Sequence, residues 1–82
     1  MTEHEVATQA RDILVRRLNV DPSAITPDTE MSALGIDSLD LVTLAGEFEE
    51  SFSVTLPTKE IMRIRTFGDV LTQLTAKVGR AA

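Results

Sequence analysis

An all-α fold is what this chain predicts: a four-helix bundle of three longer helices plus one short third helix, with a long loop between helices 1 and 2. Three observations carry that expectation. Apolar residues recur at helical spacing in three separate stretches, each opened by a residue suited to capping. The connection over residues 19–36 holds Pro22, Pro27 and Gly35 with no sustained period, which makes it a long loop. Pro57 closes the second stretch, and Thr58 stands ready to open a short helix before the last one.

The first helix is expected over about residues 3–18. Thr2 and Glu5 form a capping box, and Val6, Ala10, Ile13, Leu14 and Leu18 share one face. Arg16 and Arg17 complement the carboxyl-end dipole, and Asn19 tolerates the left-handed conformation that ends a helix. In the loop, Val20, Ile25, Met31 and Leu34 are the residues expected to tack it to the core, since connections of this length carry local structure or a function. The second helix starts at Asp37 or Ser38 and fades near Phe52, where Ser51, Ser53 and Val54 weaken the pattern. Thr58 is expected to cap a short helix over about Lys59–Arg63, and Thr66 with Asp69 forms another capping box, opening a helix through Val78 that Gly79 ends.

At 82 residues the chain makes a single domain, 1–82, because so short a chain buries only roughly 60–70% of its unfolded surface and has no second core to form. A deep enzymatic cleft is not expected. There is no Cys, and the single His4 cannot build a histidine metal site or a catalytic triad, so any thiol chemistry must be imported. Phe is the only aromatic type, which argues against a nucleic-acid partner. Met1-Thr2-Glu3-His4-Glu5 has neither a basic start nor an apolar run, and no stretch approaches the roughly 20 apolar residues of a membrane span, so a soluble cytoplasmic monomer is expected.

Charge is distributed unevenly. The net value is −5, and between Arg17 and Lys59 there is no Lys or Arg, while Asp21, Asp28, Glu30, Asp37, Asp40, Glu47, Glu49 and Glu50 all fall in that interval. A field of one sign favours basic partners and speeds their encounter.

On a helical wheel of residues 37–52, Leu41, Ala45, Phe48 and Phe52 fall together as the buried stripe with Leu44 at its edge. Leu39, Thr43, Gly46, Glu47 and Glu50 point the other way, and Val42 lies near the margin. Leu39 thus becomes an exposed apolar residue inside an acidic rim. Asp37 at the cap position would accept the orphan N–H groups of the first turn and leave the hydroxyl of Ser38 unengaged; the other reading makes Ser38 itself the cap.

The segment Leu34-Gly35-Ile36-Asp37-Ser38-Leu39 resembles the modification site of the acyl carrier protein family. The resemblance extends over nearly the whole chain: the capped first helix, the long loop, the acidic helix ending Glu49-Glu50-Ser51-Phe52, then Val54-x-Leu56-Pro57 and a terminal amphipathic helix. It implies that Ser38 carries 4'-phosphopantetheine, taken from coenzyme A and bound through a phosphodiester, with acyl chains held as thioesters on its thiol. It also implies that Asp37 helps place Ser38 and magnesium-bound coenzyme A in a phosphopantetheinyl transferase. Leu39, Asp40, Val42, Glu47, Glu50, Ile61 and Met62 would meet partner enzymes with basic docking patches, such as a ketosynthase, an acyltransferase or an acyl-ligase. Leu44, Phe48, Leu56, Ile61, Ile64 and Leu71 would line the acyl-chain pocket.

The chain departs from the family pattern in three places. Familiar fatty-acid carriers have a further acid and a larger apolar residue where this chain has Thr43 and Gly46, and the segment Thr58-Lys59-Glu60-Ile61-Met62-Arg63 is less acidic than theirs. Gly46 also costs a helix roughly 1 kcal/mol relative to alanine. These differences favour a dedicated polyketide or specialised lipid pathway over general fatty-acid synthesis. The length implies a freestanding chain, with a carrier domain excised from a larger synthase as the alternative that would look much the same. An aminoacyl or aryl carrier is the alternative within the same chemistry, although the Gly-Gly-His/Asp-Ser pattern of peptide synthesis is missing. A small helical interaction module without a prosthetic group is the alternative from another class. No base or metal site accompanies the serine, so the chain does not read as an enzyme.

Overall fold

The computed structural model describes residues 2–81, and side chains as far as residue 78. Helix α1 spans Glu3–Leu18, α2 Ser38–Phe52, α3 Thr58–Ile61 and α4 Phe67–Ala81. Two short 3-10 turns, Pro22–Ala24 and Met31–Leu34, sit inside the long first connection.

The first helix begins and ends as its sequence dictates. The Thr2 hydroxyl accepts the Glu5 N–H at 3.1 Å and the Glu5 carboxylate accepts the Thr2 N–H at 3.0 Å, so two orphan donors are satisfied reciprocally. Asn19 takes the left-handed conformation and donates its N–H to the Val15 carbonyl. Val6, Ala10, Ile13 and Leu14 are buried against α4 and α2. At the other end of the chain, the Thr66 hydroxyl accepts the Asp69 N–H at 3.1 Å while Asp69 accepts the Thr66 N–H at 3.1 Å, the expected box at the start of α4.

Two boundaries differ from expectation. Thr58 does not cap α3. Pro57 occupies the cap position with extended backbone, offers no side-chain acceptor, and makes Thr58 the first helical residue. The helix stops at Ile61 because Arg63 and Ile64 donate their N–H groups to Glu60 and Ile61, tightening the chain into a turn. In turn, α4 runs on past Gly79 to Ala81. One glycine costs roughly 1 kcal/mol relative to alanine, which does not by itself end a helix followed by good helix formers.

The long connection is stitched to the segment before α4. Met31 N–H donates to the Arg65 carbonyl at 2.8 Å, Glu30 and Thr66 form an isolated antiparallel bridge, Phe67 N–H reaches Thr29 and Gly68 N–H reaches Pro27. Gly68 is required there, since a Cβ would lie 2.9 Å from the Pro27 carbonyl oxygen. Ile25 and Met31 are buried and Val20 and Leu34 half-buried, as anticipated, while Ile36 joins the core as well. Arg11 lies over the Phe67 ring at 5.3 Å and donates to the Ile25 carbonyl at 3.2 Å, pinning the loop from the other side. Between α2 and α3 the chain is tied by the Glu49 carboxylate, which accepts the Leu56 N–H at 2.8 Å.

Candidate functional site

The start of α2 is built from a turn and a cap. Gly35 adopts φ 81, a left-handed conformation that suits glycine, and reverses the chain after the 3-10 turn so that Ile36 drops into the core and residue 37 emerges at the surface. Asp37 is the cap: its carboxylate accepts the Asp40 N–H at 2.8 Å, and Asp40 reaches back to the Asp37 N–H at 3.3 Å. Ser38 is therefore the first residue of the helix and not its cap. Its side chain is exposed, and no group among the described residues engages its hydroxyl.

Beside Ser38 opens a cleft of about 230 Å³. Its wall comes from three parts of the chain: Glu30, Met31, Ser32 and Ile36 from the loop, Asp37, Ser38 and Leu41 from the start of α2, and Ile64 and Arg65 from the segment before α4. Nothing periodic in the sequence marked Glu30, Ser32, Ile36 or Arg65, because the bridge between residues 30 and 66 brings them together across more than thirty positions.

The exposed face of α2 is close to the wheel's. Leu41, Leu44, Ala45, Phe48 and Phe52 are buried, while Leu39 is 76% exposed and Val42 41%. Asp40 and Glu50 are exposed beside them. Glu47 is not free, because the Arg17 guanidinium of α1 forms an ion pair with it. Met62 is 51% exposed, but Ile61 is only 4% exposed and belongs to the core, so the expectation that it meets partners is corrected: the single turn of α3 aims its Cβ inward.

Of the six residues expected around an acyl chain, Leu44, Phe48, Leu56, Ile61 and Ile64 are all buried in the hydrophobic core. Ile64 also faces the cleft beside Ser38. Leu71 is half-buried elsewhere, in a groove between α1 and α4 with Glu3, Thr72, Thr75 and Ala76.

Residues 8–74 match the family described as the phosphopantetheine attachment site. The chain belongs to this acyl carrier family. It is 33% identical over 79 residues to an acyl carrier protein from Thermotoga maritima, covering 95% of this chain and 98% of that protein. It is 38% identical over 68 residues to one from Porphyromonas gingivalis, covering 82% of this chain and 87% of the other. The fold matches a crystal structure of an acyl carrier protein from Thermotoga maritima with a TM-score of 0.84 at 21% identity, covering 98% of this chain and 94% of that one. Members of this family carry acyl groups on phosphopantetheine and are not catalysts.

Proposed function

We infer that Ser38 is the residue that accepts 4'-phosphopantetheine, and that the protein, as a single domain, hands acyl thioesters between the enzymes of a fatty-acid, polyketide or specialised lipid pathway. The observation that carries this reading is the division of labour at the start of α2: Asp37 satisfies the cap, and the next hydroxyl is left exposed and unbonded. The residues present fit the group. An open cleft adjoins the hydroxyl, and a phosphodiester at this position sits at the positive end of the helix dipole, typically worth about 0.3–1 kcal/mol near a surface. The arm supplies the thiol that this cysteine-free chain lacks.

The chain's own residues position, shelter and present. Asp37 fixes the first turn, and with it the direction of the Ser38 side chain. Ile64 connects the cleft to the core residues Leu44, Phe48, Leu56 and Ile61, which gives an acyl chain an apolar route between α2 and α3. Each buried methylene contributes about 0.8 kcal/mol, so a medium chain offsets much of the cost of parting those helices. Leu39, Val42 and Met62 offer apolar contacts within a rim set by Asp40 and Glu50, a layout for weak, charge-steered docking to a phosphopantetheinyl transferase and then to synthase enzymes with basic patches. Thr43 and the open surface at Gly46 leave that face thinner than a general carrier's, which favours dedicated partners. No helix among the described residues is long and apolar enough to cross a membrane, and the proposed setting is the cytoplasm.

The test is intact-mass measurement after incubation with coenzyme A, magnesium and a broad-specificity phosphopantetheinyl transferase. Wild type is expected to gain the phosphopantetheine increment and Ser38→Ala to gain nothing. An unchanged mass on folded wild type, or equal gain on both proteins, contradicts the assignment.

A further inference from the structure

The cleft beside Ser38 has one positive charge in its wall. Its charged lining residues are Glu30, Asp37 and Arg65, and the first two fall in the long interval of sequence that contains no Lys or Arg. Arg65 comes from outside that interval and is delivered by the fold. Its backbone is fixed twice, by its carbonyl accepting the Met31 N–H at 2.8 Å and by its N–H donating to the Asp69 carboxylate at 2.9 Å. Its side chain is exposed, and among the described residues the ion pairs are Arg17 with Glu47 and Lys77 with Glu60, which leaves the Arg65 guanidinium without one.

Resting on the reading of Ser38 as the attachment point, we propose that Arg65 anchors the phosphodiester formed there, pairing its guanidinium with the non-bridging phosphate oxygens and laying the first part of the arm along the cleft toward Leu41 and Ile64. The phosphodiester brings a negative charge to a wall that already holds Glu30 and Asp37, with Asp40 one turn along, so a cation at this wall relieves repulsion that the helix terminus alone must otherwise balance. A guanidinium is the group whose fork of donors matches two phosphate oxygens at once, whereas an ammonium meets them as a point charge. Arm and docking face then separate: the arm leaves Ser38 over Ile64, and Leu39 and Val42 stay uncovered for partners.

The experiment uses full-length wild type, Arg65→Gln, Arg65→Lys and Arg63→Gln, each loaded from coenzyme A by a transferase, with intact mass and Ser38→Ala establishing where loading occurs. Phosphorus NMR of each loaded protein is then recorded at low and high salt. The Arg65→Gln resonance is expected to be displaced from wild type, Arg65→Lys to lie between them, and Arg63→Gln, an exposed cation outside the cleft, to overlay wild type. Salt is expected to move wild type toward Arg65→Gln as the pair is screened. Loaded wild type and Arg65→Gln giving superimposable resonances at both salts overturns the role of Arg65. Folded wild type that takes no arm at Ser38 overturns the underlying assignment instead.

Discussion

Removing the cap and removing the hydroxyl should have opposite costs at the start of α2. Asp37→Ala deletes the acceptor of the 2.8 Å bond from the Asp40 N–H and withdraws a carboxylate from the positive end of the helix. Loss of an N-cap acceptor costs about 0.5–2 kcal/mol, typically near 1. For a domain of this size each kcal/mol corresponds to a melting-temperature change of about 4–8 °C. Ser38→Ala removes an exposed, unbonded hydroxyl and installs the best helix former, so its expected effect lies within about ±0.5 kcal/mol, on the stabilising side. The assay is urea and thermal unfolding of the unmodified protein followed by circular dichroism, with equal m-values required before midpoints are compared. If Ser38→Ala destabilises the fold by more than Asp37→Ala does, the serine is the cap, its oxygen is committed to the backbone, and the reasoning from free hydroxyl to attachment point fails.

Four other outcomes follow from the same structure. Gly46→Ala is expected to stabilise by about 1 kcal/mol, because nothing lies within 4 Å of the added Cβ, whereas Gly68→Ala is expected to destabilise by about 1–3 kcal/mol against the Pro27 carbonyl; chemical unfolding of the pair checks both signs. Phe67→Ala, at a fully buried ring beneath Arg11, should cost about 3–5 kcal/mol in the same assay. Asp69 is held below the ordinary aspartate value by hydrogen bonds from the Arg65 and Thr66 N–H groups, so its contribution is present at neutral pH and is lost as pH falls through the folded-state value; the stability gap between wild type and Asp69→Asn should therefore narrow in acid. Charge reversal at Asp40 should slow loading by the transferase most at low salt, and reversal at Glu47 less so, because Arg17 already neutralises that carboxylate; rates that ignore ionic strength at both positions contradict steering.

Much of the architecture was legible because local chemistry and tertiary structure agree. The boxes at Thr2–Glu5 and Thr66–Asp69, the left-handed Asn19 and the stripe Leu41, Ala45, Phe48 and Phe52 each report a constraint contained within a few residues. Where the outcome depended on contacts between distant segments, the sequence was mute. A helix of one turn has no period to detect, so the sequence places α3 late and leaves Ile61 in both sets, partner contact and acyl lining, where packing buries Ile61 and exposes only Met62. The turns at Pro22–Ala24 and Met31–Leu34 hold no apolar repeat, and their local bonds, such as Asp21 accepting the Ser23 N–H at 2.9 Å, resemble those of many loops.

The candidate site divides in the same way. Gly35, Asp37, Ser38 and Leu39 are contiguous and carry their roles in their order. Glu30, Ile64 and Arg65 reach the serine only because the loop is pinned to the segment before α4 by the Met31 and Phe67 N–H bonds. The ion pair of Arg17 with Glu47 is likewise a product of packing α1 on α2, and it removes from the docking rim an acid that position alone had placed there.

Fragment mapping of loaded protein tests the central assignment most directly. Because no Lys or Arg lies between Arg17 and Lys59, trypsin releases residues 18–59 as one peptide that carries Ser38 together with Ser23, Ser32, Ser51 and Ser53 as internal competitors. Tandem mass spectrometry of that peptide is predicted to place the phosphopantetheine phosphate on Ser38 alone. Its appearance on any of the other four serines, or on a different tryptic peptide, contradicts the account.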